Sequence, residues 1–238
     1  MYFFKKMKLE DIALITVLFD YPEHWIPPFM RSKNNNFNQE DIHILRYNNL
    51  IEGTRYEKLY YYKIEKLLQY IKEKILNKYD YILFLDATDT NFIKTPERVV
   101  ERFLNMNCDI LMGAEKGLWP KTKYTHLYGQ KNIIDEYKYL NSGTYFGKTK
   151  SIVEGLESIV KNKYLENIDD QGMWTIEYLL NDYIQIDYKQ EFFFSTYESK
   201  NKILINSGNV SLIDSNAFVI HDNGADTENT IKLTHELK

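Results

Sequence analysis

Apolar residues cluster along this chain in short blocks whose period changes from one block to the next, and each change marks the border of a predicted element. The block Ile12 to Phe19, IALITVLF, is continuous and rich in branched residues, and Asp20, Tyr21 and Pro22 close it; that is the pattern of a strand buried on both faces of a parallel sheet. From Glu23 to Asn49 no long period holds. Pro27, Pro28 and the run Asn34, Asn35, Asn36 predict loops there, with one short strand at Ile42 to Leu45. Thr54 and Glu57 then form a capping box, and Tyr60, Ile64, Leu67, Leu68, Ile71 and Ile75 recur at helical spacing, which predicts a helix from about Arg55 to Leu76.

Tyr79 to Leu85 reads as the next strand and ends in Asp86, Ala87, Thr88 and Asp89; Thr95 and Pro96 mark the cap and first turn of a helix through Leu104. Asp109 to Ala114 is a further strand, and Tyr139 to Phe146 another, interrupted by Asn141, Ser142 and Gly143. Ile152, Val153, Leu156, Ile159 and Val160 share one helix face. Asp169 and Asp170 open a helix whose dipole favours negative charge in its first turn, with Met173, Ile176 and Leu180 as its buried stripe. Ile184 to Asp187, Ile203 to Ile205 and Phe218 to His221 predict strands, and the tail frays after about Thr227. Alternating strands and helices predict one α/β domain over residues 1–238, Rossmann-like, with a mostly parallel central sheet and helices on both faces.

Composition narrows the class. At 238 residues, 44% of them hydrophobic, the chain can bury a sizeable core. Its longest apolar runs fall far short of the ~18 residues that a membrane span requires. The start MYFFKKMKLED has no apolar block of signal-peptide length, and Cys108 is the single cysteine, so neither an internal disulfide nor a multi-thiolate zinc cluster is available. A cytoplasmic location is expected. The net charge of -4 argues against a nucleic-acid partner, which would call for a basic field.

Ligands of open α/β sheets bind beyond the carboxyl ends of the strands, which directs attention to Asp20, to Asp86 through Asp89, to Glu115 and to His221. Two carboxylates held there by a buried strand suit a hard divalent cation and, through it, a diphosphate; two aspartates after a strand are equally ordinary turn chemistry. His221 would tilt such a site from Mg²⁺ toward Mn²⁺ if it reached the same ion, and is otherwise a core histidine. Asp169 and Asp170, with Gln171, are helix caps or else acceptors of sugar hydroxyls and a source of general base, mutual repulsion raising one proton affinity. Glu115 and Trp119 offer an acid and an indole that can stack on a sugar ring or form a rigid corner beside Pro120. Lys58 and Lys63 are candidates to screen a diphosphate. Phosphate-loop, GxGxxG, GxSxG and HExxH motifs are absent.

Seven ordered segments together resemble a GT-A type glycosyltransferase, and more narrowly the glycosyltransferase domain of procollagen lysyl hydroxylases and collagen glucosyl- and galactosyltransferases. They are LITV at Leu14 to Val17, EKLYYYK at Glu57 to Lys63, ILFLDATD at Ile82 to Asp89, AEKGLWP at Ala114 to Pro120, YLNSGTYFG at Tyr139 to Gly147, DDQ at Asp169 to Gln171 and VIHDNG at Val219 to Gly224. The resemblance implies that Asp86, Asp89 and His221 hold Mn²⁺, with Mg²⁺ as the alternative. It implies that Thr16 and Val17 line a uridine pocket, that Lys58 and Tyr61 border the nucleotide, and that Thr88, Asn223 and Gly224 belong to the donor side. Glu115, Trp119, Asn141, Asp169, Asp170 and Gln171 would face the transferring sugar and the acceptor.

The implied activity is transfer of glucose or galactose from UDP-glucose or UDP-galactose to a hydroxyl on protein or glycan, such as hydroxylysine or galactosyl-hydroxylysine of a collagen-like protein. Three positions depart from the family: Asp222 replaces the glycine of an HGNG turn, a basic residue is missing around Ala225 to Thr227, and Tyr61 stands where tryptophan is expected. The rival readings are a metal-dependent nucleotidyltransferase or phosphoesterase, and a noncatalytic nucleotide-sugar-binding protein.

Overall fold

The computed structural model describes residues 9–48, 56–162, 169–199, 203–206, 209–212 and 215–223. In chain order its elements are β1 (Ile12–Phe19), α1 (Pro28–Arg31), β2 (Ile42–Tyr47), α2 (Tyr56–Tyr70), β3 (Tyr81–Leu85), β4 (Thr90–Phe92), α3 (Val99–Leu104), β5 (Ile110–Glu115), β6 (Tyr139–Lys148), α4 (Thr149–Asn162), α5 (Asp170–Leu180), β7 (Ile184–Ile186), β8 (Phe193–Ser195), β9 (Ile203–Asn206), β10 (Asn209–Leu212) and β11 (Val219–His221).

Among the described residues, six strands form a mixed central sheet in the order β2-β1-β3-β6-β5-β7. Pairings of β1 with β2 and β3, and of β5 with β7, are parallel, while β6 runs antiparallel between β3 and β5. The expected mostly parallel α/β sheet is present. Its strands are apolar on both sides because both sides are covered. Ala13 and Ile15 of β1 face Ile64 and Leu67 of α2, Leu156 of α4 and Trp174 of α5 in one buried cluster. Ile12 and Leu14 face the other way, toward Phe29 of α1, Phe103 of α3, and Phe92, Phe193 and Val219 of a small second sheet.

That second sheet, ordered β4-β11-β8, goes beyond the sequence expectation of helices on both faces, which has no strands at Thr90–Phe92 or Phe193–Ser195. It supplies much of the cover that helices alone were expected to give. Two other boundaries differ. The long helix leaves α-geometry at Tyr70 and finishes as a π turn over Ile71–Ile75, and the 54–57 capping box lies outside the described residues at Thr54. The strand expected to break at Asn141, Ser142 and Gly143 instead runs unbroken for ten residues. Its register against β5 jumps from Met112 opposite Tyr145 to Gly113 opposite Asn141, so residues 142–144 bulge away from β5 while Thr144 still pairs with Leu85 on β3. The tail after Thr227 lies outside the described residues. No described helix is long and apolar enough to cross a membrane.

Candidate active site

Three strand ends and the β6 bulge converge at one edge of the central sheet. The chain leaves β3 at Asp86, whose backbone N–H donates to the carbonyl of Gly143 in the bulge at 2.7 Å. The turn continues to Asp89, whose carbonyl accepts from the N–H of Asp222 at 2.8 Å, just past the end of β11. Two strands far apart in the chain are thereby pinned together, and His221 arrives beside the aspartates. One ligand atom from each of Asp86, Asp89 and His221 lies within 4.8 Å of the other two. The imidazole Nε2 of His221 stands 3.4 Å from Oδ2 of Asp89. Burial disfavours a charged ring, but Asp89, Asp86 and Glu115 outweigh it and raise the histidine's proton affinity. Oδ1 of Asp89 is buried without a hydrogen-bond partner. Two carboxylates and an imidazole, with one buried oxygen unsatisfied, fit a divalent cation of the Mn²⁺ or Mg²⁺ type.

Lys63 of α2 reaches into the same place. Its Nζ donates to Oδ1 of Asp86 at 3.0 Å and to Oδ2 of Asp170 at 2.6 Å. Burial lowers the proton affinity of this ammonium, yet the two carboxylates more than offset it and hold it firmly charged. Asp169 is the N-cap of α5, its Oδ1 accepting from the N–H of Gly172 at 2.8 Å, and its Oδ2 accepts from the indole of Trp119 at 2.7 Å. Its pKa is raised, as expected for one of the pair, but burial is the main cause and the neighbouring Asp170 a lesser one. Trp119 itself is 65% exposed at the mouth of the site.

These groups line a cleft of about 460 Å³ that also takes in Glu115, Asn141, Gln171 and Asn223. A second cavity of about 450 Å³ runs under the end of β1, lined by Val17, Phe19, Tyr21, Ala87 and Thr88 among others. The two cavities share Tyr60, Lys63 and Asp86.

The structure therefore brings together Asp86, Asp89, His221, Glu115, Trp119, Asn141, Asp169, Asp170, Gln171 and Asn223, with Val17 and Thr88 in the adjoining cavity. It does not bring in two expected residues. Thr16 is 1% exposed and lines neither cavity, because it lies deeper in β1 than Val17, Leu18 and Phe19, the residues at the strand's end that line the second cavity. Tyr61 packs against the core cluster and lines neither cavity; Tyr60, one position earlier on α2, lines both. The side chain of Lys58, and Gly224, lie outside the described residues. Tyr197, in the loop after β8, is an addition to the expected residues and lines the first cleft, its ring lying against Gly117.

Comparison with known proteins agrees with this geometry. The chain matches the family described as the PLOD GT domain over residues 11–234. It is 28% identical over 166 residues to the uncharacterized protein R699 of Acanthamoeba polyphaga mimivirus, covering 68% of this chain and 35% of that protein. It is 32% identical over 123 residues to mouse procollagen-lysine,2-oxoglutarate 5-dioxygenase 2, covering 51% of this chain and 15% of the mouse protein. Rat multifunctional procollagen lysine hydroxylase and glycosyltransferase LH3 is 28% identical over 99 residues, 41% of this chain and 13% of the rat protein. The matched segments thus span about a third or less of these relatives. A solved glycosyltransferase involved in the glycosylation of the major capsid of PBCV-1 shares the fold, with a TM-score of 0.56 at 10% identity over 94% of this chain and 98% of that one.

Proposed function

The chain belongs to the family of PLOD glycosyltransferase domains, and from that premise we propose that it transfers a hexose, glucose or galactose, from a UDP-sugar to a hydroxyl with the help of Mn²⁺. The observation that carries the proposal is the pair of cavities meeting at Tyr60, Lys63 and Asp86. A nucleoside fits the cavity beneath β1, a sugar and acceptor hydroxyl the cleft beyond, and the diphosphate between them falls at the junction. Asp86, Asp89 and His221 would hold the cation, whose charge, when bound, offsets the negative charge that develops on the departing diphosphate.

The chain's own residues account for the rest. Lys63 places a second, permanent positive charge at the junction and keeps Asp86 and Asp170 from repelling each other. Asp170, held by that ammonium, presents a carboxylate to the sugar side, where hydroxyl groups are hydrogen-bond donors. Asp169 fixes the indole of Trp119 at the mouth, where its face is free to stack on an acceptor sugar. The acceptor class we propose is a hydroxyl of the hydroxylysine or galactosyl-hydroxylysine kind, on the strength of the collagen-modifying relatives.

The test is a UDP-release assay with UDP-glucose and UDP-galactose, with and without Mn²⁺, against water, hydroxylysine and simple galactosides. UDP release that requires Mn²⁺ and rises with an acceptor is the expected result. Release of pyrophosphate or inorganic phosphate instead would replace the reading with a nucleotidyltransferase or phosphoesterase. Donor binding with no turnover on any acceptor would replace it with a binding protein.

A further inference from the structure

Glu115, at the end of β5, is 6% exposed and accepts hydrogen bonds from three side-chain amides carried by three different elements. The Nε2 group of Gln171, on α5, donates to its Oε1 at 2.7 Å; Nδ2 of Asn141, on β6, donates to its Oε2 at 3.3 Å; and Nδ2 of Asn223, just after β11, donates to the same Oε2. Each of these amides also accepts a backbone N–H through its oxygen. Asn141 takes that of Gly143 at 3.0 Å, Gln171 that of Ser142 at 3.2 Å, and Asn223 that of Tyr197 at 3.4 Å. A backbone N–H can only donate, so each amide oxygen must face it and each NH₂ must face elsewhere and find an acceptor. One carboxylate serves all three.

The chain of contacts then leads to the cation cluster from two sides. Asn141 and Gln171 hold the backbone of Ser142 and Gly143, and the carbonyl of Gly143 in turn accepts the N–H of Asp86. Asn223 sits two residues beyond His221 in the turn whose Asp222 is bonded to Asp89. Glu115 is not in the cluster of possible ligands, yet each of its three partners holds a backbone segment next to that cluster or lies in the turn after His221.

We propose that Glu115 is a positioning residue, the buried anion that orients Asn141, Gln171 and Asn223 and through them sets the Gly143 and His221 sides of the cation site. Its part in catalysis rests on the transferase reading above, whereas the orienting network does not. Residues that orient metal ligands without touching the metal change affinity by about 10- to 100-fold when altered. An uncharged amide at position 115 has one oxygen for three donors and turns an NH₂ toward at least one of them, so at least one of the three loses its bond to residue 115; Gln171 keeps a second acceptor, the carbonyl of Trp119 at 2.9 Å.

The experiment compares the full chain with Glu115→Gln, and with Glu154→Gln on the exposed face of α4 as a control. In ¹⁵N-labelled wild-type protein, the side-chain NH₂ groups of Asn141, Gln171 and Asn223 are expected to exchange with solvent more slowly than surface amides, and in Glu115→Gln to shift and lose that protection. Free Mn²⁺, read by its electron paramagnetic resonance signal, is expected to show about a 10- to 100-fold weaker affinity in Glu115→Gln and no such loss in the control. Excess Mn²⁺ should restore turnover to Glu115→Gln, as it would not for a residue that acts on the substrate itself.

Unshifted amides in Glu115→Gln overturn the proposal, as does wild-type Mn²⁺ affinity in a variant whose amides have moved. Should Glu115→Gln fail to fold, the wild-type exchange rates decide: amides that exchange as fast as surface ones refute the network. A wild-type chain that binds no Mn²⁺ defeats the metal-dependent transferase reading and the relay to the cation site, while the amide measurement still decides whether Glu115 orients its three partners.

Discussion

A Cβ built on Gly143 would stand 2.2 Å from Cε1 of His221 and 2.8 Å from Oδ2 of Asp86, closer than atoms can approach. The β6 bulge therefore serves as the floor on which the proposed ligands rest, and glycine is required there for space. Replacing Gly143 with Ala should push His221 and Asp86 apart, at about 1 to 3 kcal/mol of stability for the overpacking. Thermal melts with and without Mn²⁺ check this: the variant should melt lower and lose its response to the ion. An alanine variant that responds to Mn²⁺ as the wild type does would mean the cation sits elsewhere.

Removal of single ligands should be graded. An ion present at 100 times its dissociation constant stabilises the fold that holds it by about 2.7 kcal/mol, which appears as a rise in melting temperature. Asp89→Asn removes a carboxylate with a buried, unpartnered oxygen and should abolish that rise. His221→Ala leaves Asp86 and Asp89 in place and should weaken the ion and shift the preference from Mn²⁺ toward Mg²⁺. Global unfolding of His221→Ala, in place of weakened binding, would mark the ring as core packing.

The elements most legible in the sequence are those whose pattern is local. β1 is eight apolar or small residues in a row and falls within a residue of its expected place, and α4 carries one clean stripe that the observed helix encloses. β4 and β8 have three residues each, too few to show a period, and exist because β11 lies between them; nothing near Thr90 or Phe193 announces a partner more than twenty residues away. The Asn-Ser-Gly signal in β6 marks a disturbance and not a break, because the register shift that absorbs it belongs to the pairing with Gly113 on β5. The site divides in the same manner. Asp86, Asp89 and His221 announce themselves as polar residues at the ends of apolar strands. The choice between Tyr60 and Tyr61 turns on a helix rotation of about 100° per residue, which sequence fixes only when the buried face is known in full. Tyr60 shares the apolar spacing of Ile64 and Leu67 in the sequence, and that is the available signal. Lys63 looks like any helix lysine until Asp86 and Asp170, 23 and 107 positions away, close around it.

Asp169 and Asp170 are adjacent in sequence and occupied in different ways, so their variants should separate. Asp169→Asn keeps a capping oxygen for Gly172 but turns its NH₂ toward the indole N–H of Trp119, donor against donor. Stability should change by less than about 1 kcal/mol, since Asn caps nearly as well as Asp, while Trp119 loses its tether and its fluorescence should respond more strongly to a soluble quencher. Asp170→Asn weakens the hold on Lys63 and should lower turnover by roughly 100-fold or more, with UDP and Mn²⁺ affinity close to wild type. Near-normal turnover in Asp170→Asn would remove it from the sugar side.

Asp187, which lines neither cavity, gives a pH prediction with a definite sign. It is 2% exposed just after β7, and its two oxygens accept the backbone N–H groups of Glu191, Phe192 and Phe193. Burial pushes its pKa up to about 6 against the pull of those three donors. The folded chain therefore holds this proton more tightly than the unfolded chain, whose aspartates titrate near 3.9. Between those values the native state binds more protons, so the contribution of Asp187 to stability is full below about pH 4, falls as pH rises, and is gone above about 6. A rise of that size corresponds to on the order of 3 kcal/mol. Asp187→Asn cannot titrate and offers one oxygen to three donors, so it should be less stable throughout, and its level decides nothing. The slope decides: urea midpoints of the wild type minus those of Asp187→Asn, taken from pH 4 to pH 7, should decline with rising pH. A difference that is flat, or that grows toward neutrality, would show that the three backbone donors overcome burial and that Asp187 is held as a carboxylate throughout.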